Sequence, residues 1–297
     1  MLDPVLPIAI YLLLGYLFKI VFHDNSKQLI EFIIYFSLPA IVFSKIYPLI
    51  LDQKIFGLIL MFICFILFNL LLAYFIGRMM KLNKLLLATF MIMATFGNTS
   101  FIGFSYIDAF YGQDYIVHGL IYDLFGSFLL LVSIGMFIIT WGSGRKNDSK
   151  SMFKSIFLFP PTLMFFVTVI AKNFEVPNFL ILTSQTLGTT LVPIAMIAIG
   201  MKLELKHIFV KFHIVTMAMA LKMVIVPIII LIGFKYFYGI DQTWVKVTII
   251  EVAMPPMTMA TVLAIKGGLD EKVAINSLVL GVLLSLFTIT MYTSYLG

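Results

Sequence analysis

The sequence predicts an all-α membrane protein: about ten transmembrane helices in two inverted five-helix repeats, with broken helices four and nine crossing at the membrane midplane. Three observations predict this. First, 62% of the 297 residues are hydrophobic and only 11% are charged, with a mean hydropathy of +1.09; soluble domains carry about a quarter charged residues. Second, the apolar residues fall into runs of roughly 20, the length that crosses a bilayer core of about 30 Å. Third, two of those runs are interrupted at matching places by residues that cannot continue a helix, Phe96-Gly97-Asn98-Thr99-Ser100-Phe101-Ile102-Gly103 and Glu251-Val252-Ala253-Met254-Pro255-Pro256-Met257.

The apolar runs lie near residues 4–21, 28–46, 55–77, 85–110, 115–141, 153–171, 179–201, 208–237, 243–266 and 273–295. The eighth is longer than a crossing needs, so a tilt or a kink at Pro227 is expected. Orientation follows from the basic residues at the span ends. One set of connections holds Lys19, Lys27, Arg78, Lys81, Lys84, Arg145, Lys146, Lys150, Lys154, Lys202, Lys206, Lys211, Lys266 and Lys272. The opposite set holds Lys45, Lys54, Lys172, Lys235 and Lys246. The first set outnumbers the second roughly threefold, which makes it cytosolic under the positive-inside rule. Both termini are then extracytoplasmic, in a plasma membrane. The net charge of +6 is thus a topology signal, and no nucleic acid is expected as a partner. Met1-Leu2-Asp3-Pro4 lacks the basic region of a signal peptide, so the first apolar run is expected to persist. The single Cys64 excludes an intramolecular disulfide. Trp141 and Trp244, near span ends, read as interfacial residues.

The longest connection, 142–152, is rich in Gly, Ser and alternating charge, the composition of a flexible linker. It divides the chain into 1–141 and 153–297 and invites a test for repeats. Leu38-Pro39-Ala40 matches Val192-Pro193-Ile194 at an offset of roughly 154, and Gly112-Gln113-Asp114 matches Gly268-Leu269-Asp270 at roughly 156. The same offset lays the first interruption on the second. Five spans per half is odd, so the halves run in opposite directions across the membrane. Inverted repeats with broken helices are the architecture of many secondary transporters.

Broken backbone at membrane depth survives only inside protein or beside a cavity. Each break exposes N–H groups and a partial positive charge at the start of the following half-helix. Two such starts, at 99–102 and 257–260, can face one carboxylate. Asn98, Thr99 and Ser100 in the first break, and Met254, Pro255, Pro256, Met257 and Thr258 in the second, are therefore the candidate residues for binding a small organic anion. Asn98, Thr99 and Ser100 can also cap the helix ends, which is compatible with contact. Three ionisable residues lie deep in spans: Asp123, Lys222 and Glu251. Each is costly in lipid and is expected to face the interior. An ion pair of Lys222 with Asp123 or Glu251 that merely fixes packing is one reading. The other is a coupling site, in which a sodium ion or a proton neutralises the surplus negative charge. Sodium wants about six oxygen ligands, by analogy with other hard cations; Glu251, Asn98, Thr99, Ser100 and freed carbonyls are the candidates. No other cofactor is expected. His118 reads as interfacial, and Asp108 and Asp114 as solvated loop-end charges.

These residues resemble the auxin efflux carrier family. The likeness rests on Tyr35-Phe36-Ser37-Leu38-Pro39-Ala40, on Gly97-Asn98-Thr99-Ser100-Phe101-Ile102-Gly103 trailing into Phe110-Tyr111-Gly112, and on Met254-Pro255-Pro256 trailing into Lys266-Gly267-Gly268, in that order over the whole chain. The resemblance implies that spans one, two, six and seven form a scaffold and that spans three to five and eight to ten form a moving core. It implies that helices four and nine cross beside a substrate such as malate, malonate or auxin. Dimerisation through the scaffold is implied as well. Ser37, Thr189 and Thr190 would line the scaffold side. The short linker looks like a prokaryotic form. More distantly, Glu251-Val252-Ala253-Met254 is similar to the sodium-binding segment of bile acid symporters, although Pro255 and Pro256 replace the polar amide found there. A secondary transporter working by alternating access is the first expectation. A membrane sensor or sterol-binding protein on the same fold is the alternative. An enzyme is not expected: no His-Glu-x-x-His and no Gly-flanked Ser backed by a membrane His occurs.

Overall fold

A computed structural model describes residues 5–49, 53–144, 158–203 and 210–297. Arg145, Lys146, Lys150, Lys154 and Lys206, most of the 142–152 linker, and the expected starts of the first, sixth and eighth spans lie outside the described residues.

The described residues form helices α1 (Val5–Phe22), α2 (Ser26–Ile46), α3 (Gln53–Met79), α4 (Lys84–Thr95), α5 (Phe104–Tyr111), α6 (Gln113–Ser143), α7 (Pro160–Ala171), α8 (Asn178–Lys202), α9 (Phe212–Phe237), α10 (Thr243–Val252), α11 (Thr258–Lys266) and α12 (Glu271–Leu296). Among the described residues the one β feature is an isolated bridge between Gly97 and Pro256. Seven helices, α1, α2, α3, α6, α8, α9 and α12, are long and apolar enough to cross a membrane, and α4 and α7 are shorter apolar helices. The chain is a multi-pass membrane protein in architecture.

Prolines shape the long helices. Pro227 has no N–H to give the carbonyl four residues back, that of Met223. The expected kink at Pro227 takes the form of a π-helical turn at Leu221–Ile225 just before it. The Tyr292 hydroxyl on α12 donates to Met223 O at 3.1 Å and to Val224 O at 3.2 Å, supplying the missing partner. Pro39 in α2 likewise follows a π-helical turn, Ile33–Ser37. Two more such turns, Tyr122–Phe128 and Leu131–Gly135, interrupt α6 without a proline. Lys222 and Asp123 both sit on these turns.

Helix α4 is the hub of one bundle. Every residue from Leu87 to Thr95 is buried, as a helix apolar on all sides must be. It packs against α3, α6, α9, α11 and α12. Asn69 of α3 donates to Ala94 O at 3.0 Å, satisfying a carbonyl in the last turn of α4. A second group forms around α8, which packs on α1 and α2, while α2 also packs on α7. The α1–α8 contact is backbone against backbone. A Cβ at Gly15 would strike Ile197 O, and one at Gly200 would strike Leu12 O. Small residues allow such approach between membrane helices, where water provides no drive for association. The outer sides of α1 and α3 expose Leu6, Ile10, Leu13, Phe56, Leu60 and Phe75, side chains suited to lipid.

Substituting Gly200→Leu is therefore expected to destabilise the protein by about 2 kcal/mol, read as a lowered melting temperature in detergent. Gly57→Leu on α3, where a Cβ meets nothing within 4 Å, should leave the melting temperature unchanged.

Candidate functional site

The two interruptions meet. Helix α4 stops at Thr95 and α10 at Val252. The linking strands run antiparallel and pair: Asn98 N–H donates to Pro255 O at 2.7 Å, and Met257 N–H donates to Phe96 O at 2.9 Å. The next half-helices start at once. A π-helical turn at Thr99–Gly103 leads into α5, with Ile102 and Gly103 N–H both donating to Asn98 O, and Thr258 opens α11. The amide of Met257 is thus committed to Phe96, so the donors left at the two starts are those of residues 99–101 and 258–260.

Side chains complete the crossing. Asn98 Nδ2 donates to Thr258 Oγ1 at 3.1 Å, joining the two starts. Pro256 has no N–H to offer Val252 O, and the Lys222 ammonium takes its place at 2.8 Å. Lys222 lies against the bridge itself, 3.1 Å from where a Cβ on Gly97 would be. Among the described residues no carboxylate forms an ion pair with it. The ion pair with Asp123 or Glu251 is thus replaced by a cation on a freed carbonyl, because the double proline leaves that acceptor open at the same depth.

The two acids occupy different surroundings. Asp123 accepts from Thr99 Oγ1 at 2.5 Å. Glu251 is fully buried, and neither of its oxygens has a hydrogen-bond partner. It lies in a slot between two glycines: a Cβ on Gly103 would come within 2.5 Å of Oε2, and one on Gly119 within 2.5 Å of Oε1. The hydroxyls that the sequence assembles around Glu251 therefore gather at Asp123 instead. Asp123, on the π-helical turn at Tyr122–Phe128, packs against the Thr99–Gly103 turn that leads into α5.

A cavity of about 20 Å³ opens beside the crossing, lined by Asn98, Ser100, Asp123, Met257 and Thr258 on one side and by Ile34, Leu38 and Phe159 on the other. Such a space holds about one water molecule. Met254, Pro255 and Pro256 are buried but do not line it; the prolines pack on Gly281 of α12, where a Cβ would meet Pro256 Cδ at 2.6 Å. Ser37 and Thr190 bond to each other at 2.8 Å. His118 is half-buried, and its Nδ1 has no partner. Gly119, Ile34 and Phe159 carry no local signal of a site, and Leu38 is legible only as part of the Leu38-Pro39-Ala40 repeat. They come from other spans and join it only through packing.

Residues 1–293 match the family described as membrane transport protein. An uncharacterized transporter of Methanocaldococcus jannaschii is 26% identical over 98% of this chain and 97% of its own. An uncharacterized transporter of Methanothermobacter thermautotrophicus is 25% identical over the same shares.

The glycine slot is testable by a double-mutant cycle. Gly103→Ala should destabilise by about 1–3 kcal/mol, because its methyl group meets the Glu251 carboxylate. In a Glu251→Ala background the same change should cost at least about 0.5 kcal/mol less. Additive melting shifts would mean that the two residues do not touch.

Proposed function

Given that the chain belongs to the auxin efflux carrier family of membrane transport proteins, we propose that it is a secondary active transporter of a small organic anion, working by alternating access. The observation that carries the reading is the paired crossing of the two breaks. It brings the two helix starts, whose first amides have no intrahelical acceptor, side by side, joined by the Asn98–Thr258 bond. In lipid this is a means of holding a carboxylate without a dedicated basic side chain.

The reading extends the described helices to ten crossings in two inverted repeats, 1–141 and 153–297, joined by a cytosolic linker. Both termini face outward from a plasma membrane. The α4-centred bundle is the moving core, and α1, α2, α7 and α8 are the scaffold. Support for the division comes from the packing, in which the α1–α8 glycine contact and the α4 hub belong to separate groups. The cavity at the crossing has core residues on one side and Ile34, Leu38 and Phe159 on the other. At about 20 Å³ it is too small for an organic anion, so admitting one requires the core to part from the scaffold. That is the motion alternating access demands.

Asn98, Thr258 and the free amides bind the anion's carboxylate. Thr99 positions Asp123 through its hydroxyl, and Lys222 satisfies the Val252 carbonyl at the break while its charge acts on Glu251 as part of the coupling group. Asp123 and Glu251 are the coupling acids, for a sodium ion or a proton. The oxygens of Asp123, Thr99, Ser100 and Asn98 suit a hard cation. The glycine slot of Glu251 supplies no such ligands, which suits a proton.

In proteoliposomes, labelled malonate, malate or indole-3-acetate should accumulate when a sodium or pH gradient is imposed. Asn98→Ala should cut uptake about tenfold or more, the loss of one hydrogen bond to a charged group. Glu251→Gln should fold normally and take up the anion without regard to the gradient. Binding without accumulation by the unaltered protein would favour a sensor and defeat the transport reading.

A further inference from the structure

A second and larger cavity lies away from the crossing, where α2 ends and α5 gives way to α6. It is a cleft of about 440 Å³. One wall carries Lys45 of α2 with Gln185 and Thr189 of α8; the other carries Asp108 of α5 with Gln113 and Asp114 at the start of α6. The cleft therefore runs along the division between the two helix groups, and its lining is polar enough to stay wet. Lys45 bridges it. Its ammonium lies 3.3 Å from Asp114 Oδ1, with the Lys45 side chain 19% exposed and that of Asp114 98% exposed. Asp108, hydrogen-bonded by Gln113, lies within the field of the same ammonium.

We propose that this cleft is one of the two access vestibules of the transport cycle and that Lys45 is its latch. The inference rests on the transport reading above. Opening and closing a vestibule between two bundles changes the distance between their facing side chains. A Lys on one bundle paired with an Asp on the other is made in one arrangement and lost in the next. Here the pair is made while the cleft is open, so it favours the open arrangement. An ion pair this exposed is weak and screened by salt. It biases the equilibrium without locking it, which a carrier that must cycle requires. The positive-inside rule makes this the extracytoplasmic face.

The test uses the full chain in nanodiscs, with the exposed Cys64 replaced by Ser and Thr189→Cys as reporter, labelled by a charged methanethiosulfonate. Lys45→Gln and Asp114→Asn should each slow labelling about two- to fivefold, the population shift an exposed pair can impose. Asp114 is so exposed that its variant should fold without difficulty. Raising salt from about 20 mM to about 500 mM should slow labelling of the parent and leave Lys45→Gln unchanged. Equal rates in all single variants, or a salt response that survives in Lys45→Gln, overturn the latch. Parallel uptake assays separate the two claims. Uptake with unresponsive labelling removes the latch alone. Responsive labelling without any uptake removes the transport reading and leaves Lys45 as a tether between two bundles.

Discussion

A helix broken inside a bilayer leaves N–H and C=O groups with no water to satisfy them, and the structure is organised around that constraint. Each unsatisfied group costs several kcal/mol, and this chain breaks two helices. The solution is reciprocal. The strand between α4 and α5 and the strand between α10 and α11 pair with each other through Asn98 to Pro255 and Met257 to Phe96. Neither break would be tolerable alone. Each is the other's hydrogen-bond partner, which is why two interruptions occur and why they meet.

The remaining groups are satisfied by side chains brought from elsewhere. Asn69 reaches Ala94 O, and Lys222 takes the place of the Pro256 amide at Val252 O. Tyr292 does the same for the carbonyls ahead of Pro227. Of these, Lys222 reads as functional by its cost in lipid, and the structure gives it, like Asn69 and Tyr292, a backbone carbonyl to serve. What is left over at the crossing, among the described residues, includes three amides at each half-helix start and the two oxygens of Glu251. Both sets lie at the crossing, where the two breaks already satisfy most of each other's backbone.

Much of this was legible in the sequence. Helix positions followed from apolar runs because a membrane permits few alternatives to a helix of a given length. The two breaks were legible because Gly97, Pro255 and Pro256 act on their own backbone. The partners of the ionisable residues were not. Lys222 reads as the counter-ion of an acid, since a charge pair is the common resolution of burial, and a carbonyl freed by a proline thirty residues on is invisible to such a rule. The glycine slot of Glu251 was hidden for a related reason. Gly119 looks like any small residue in a membrane helix until Glu251 is seen to pack on it.

The sequence by itself determined the membrane class, the helical segments and the places where helices must stop, because those depend on local hydrophobicity and on the backbone chemistry of glycine and proline. Only the tertiary structure decided that the two stops pair with each other, that Thr99 serves Asp123 while Glu251 stands apart, and that Lys45 reaches across a cleft to Asp114. Those are distances between residues far apart along the chain. They are set by how helices pack, and packing is not a local property.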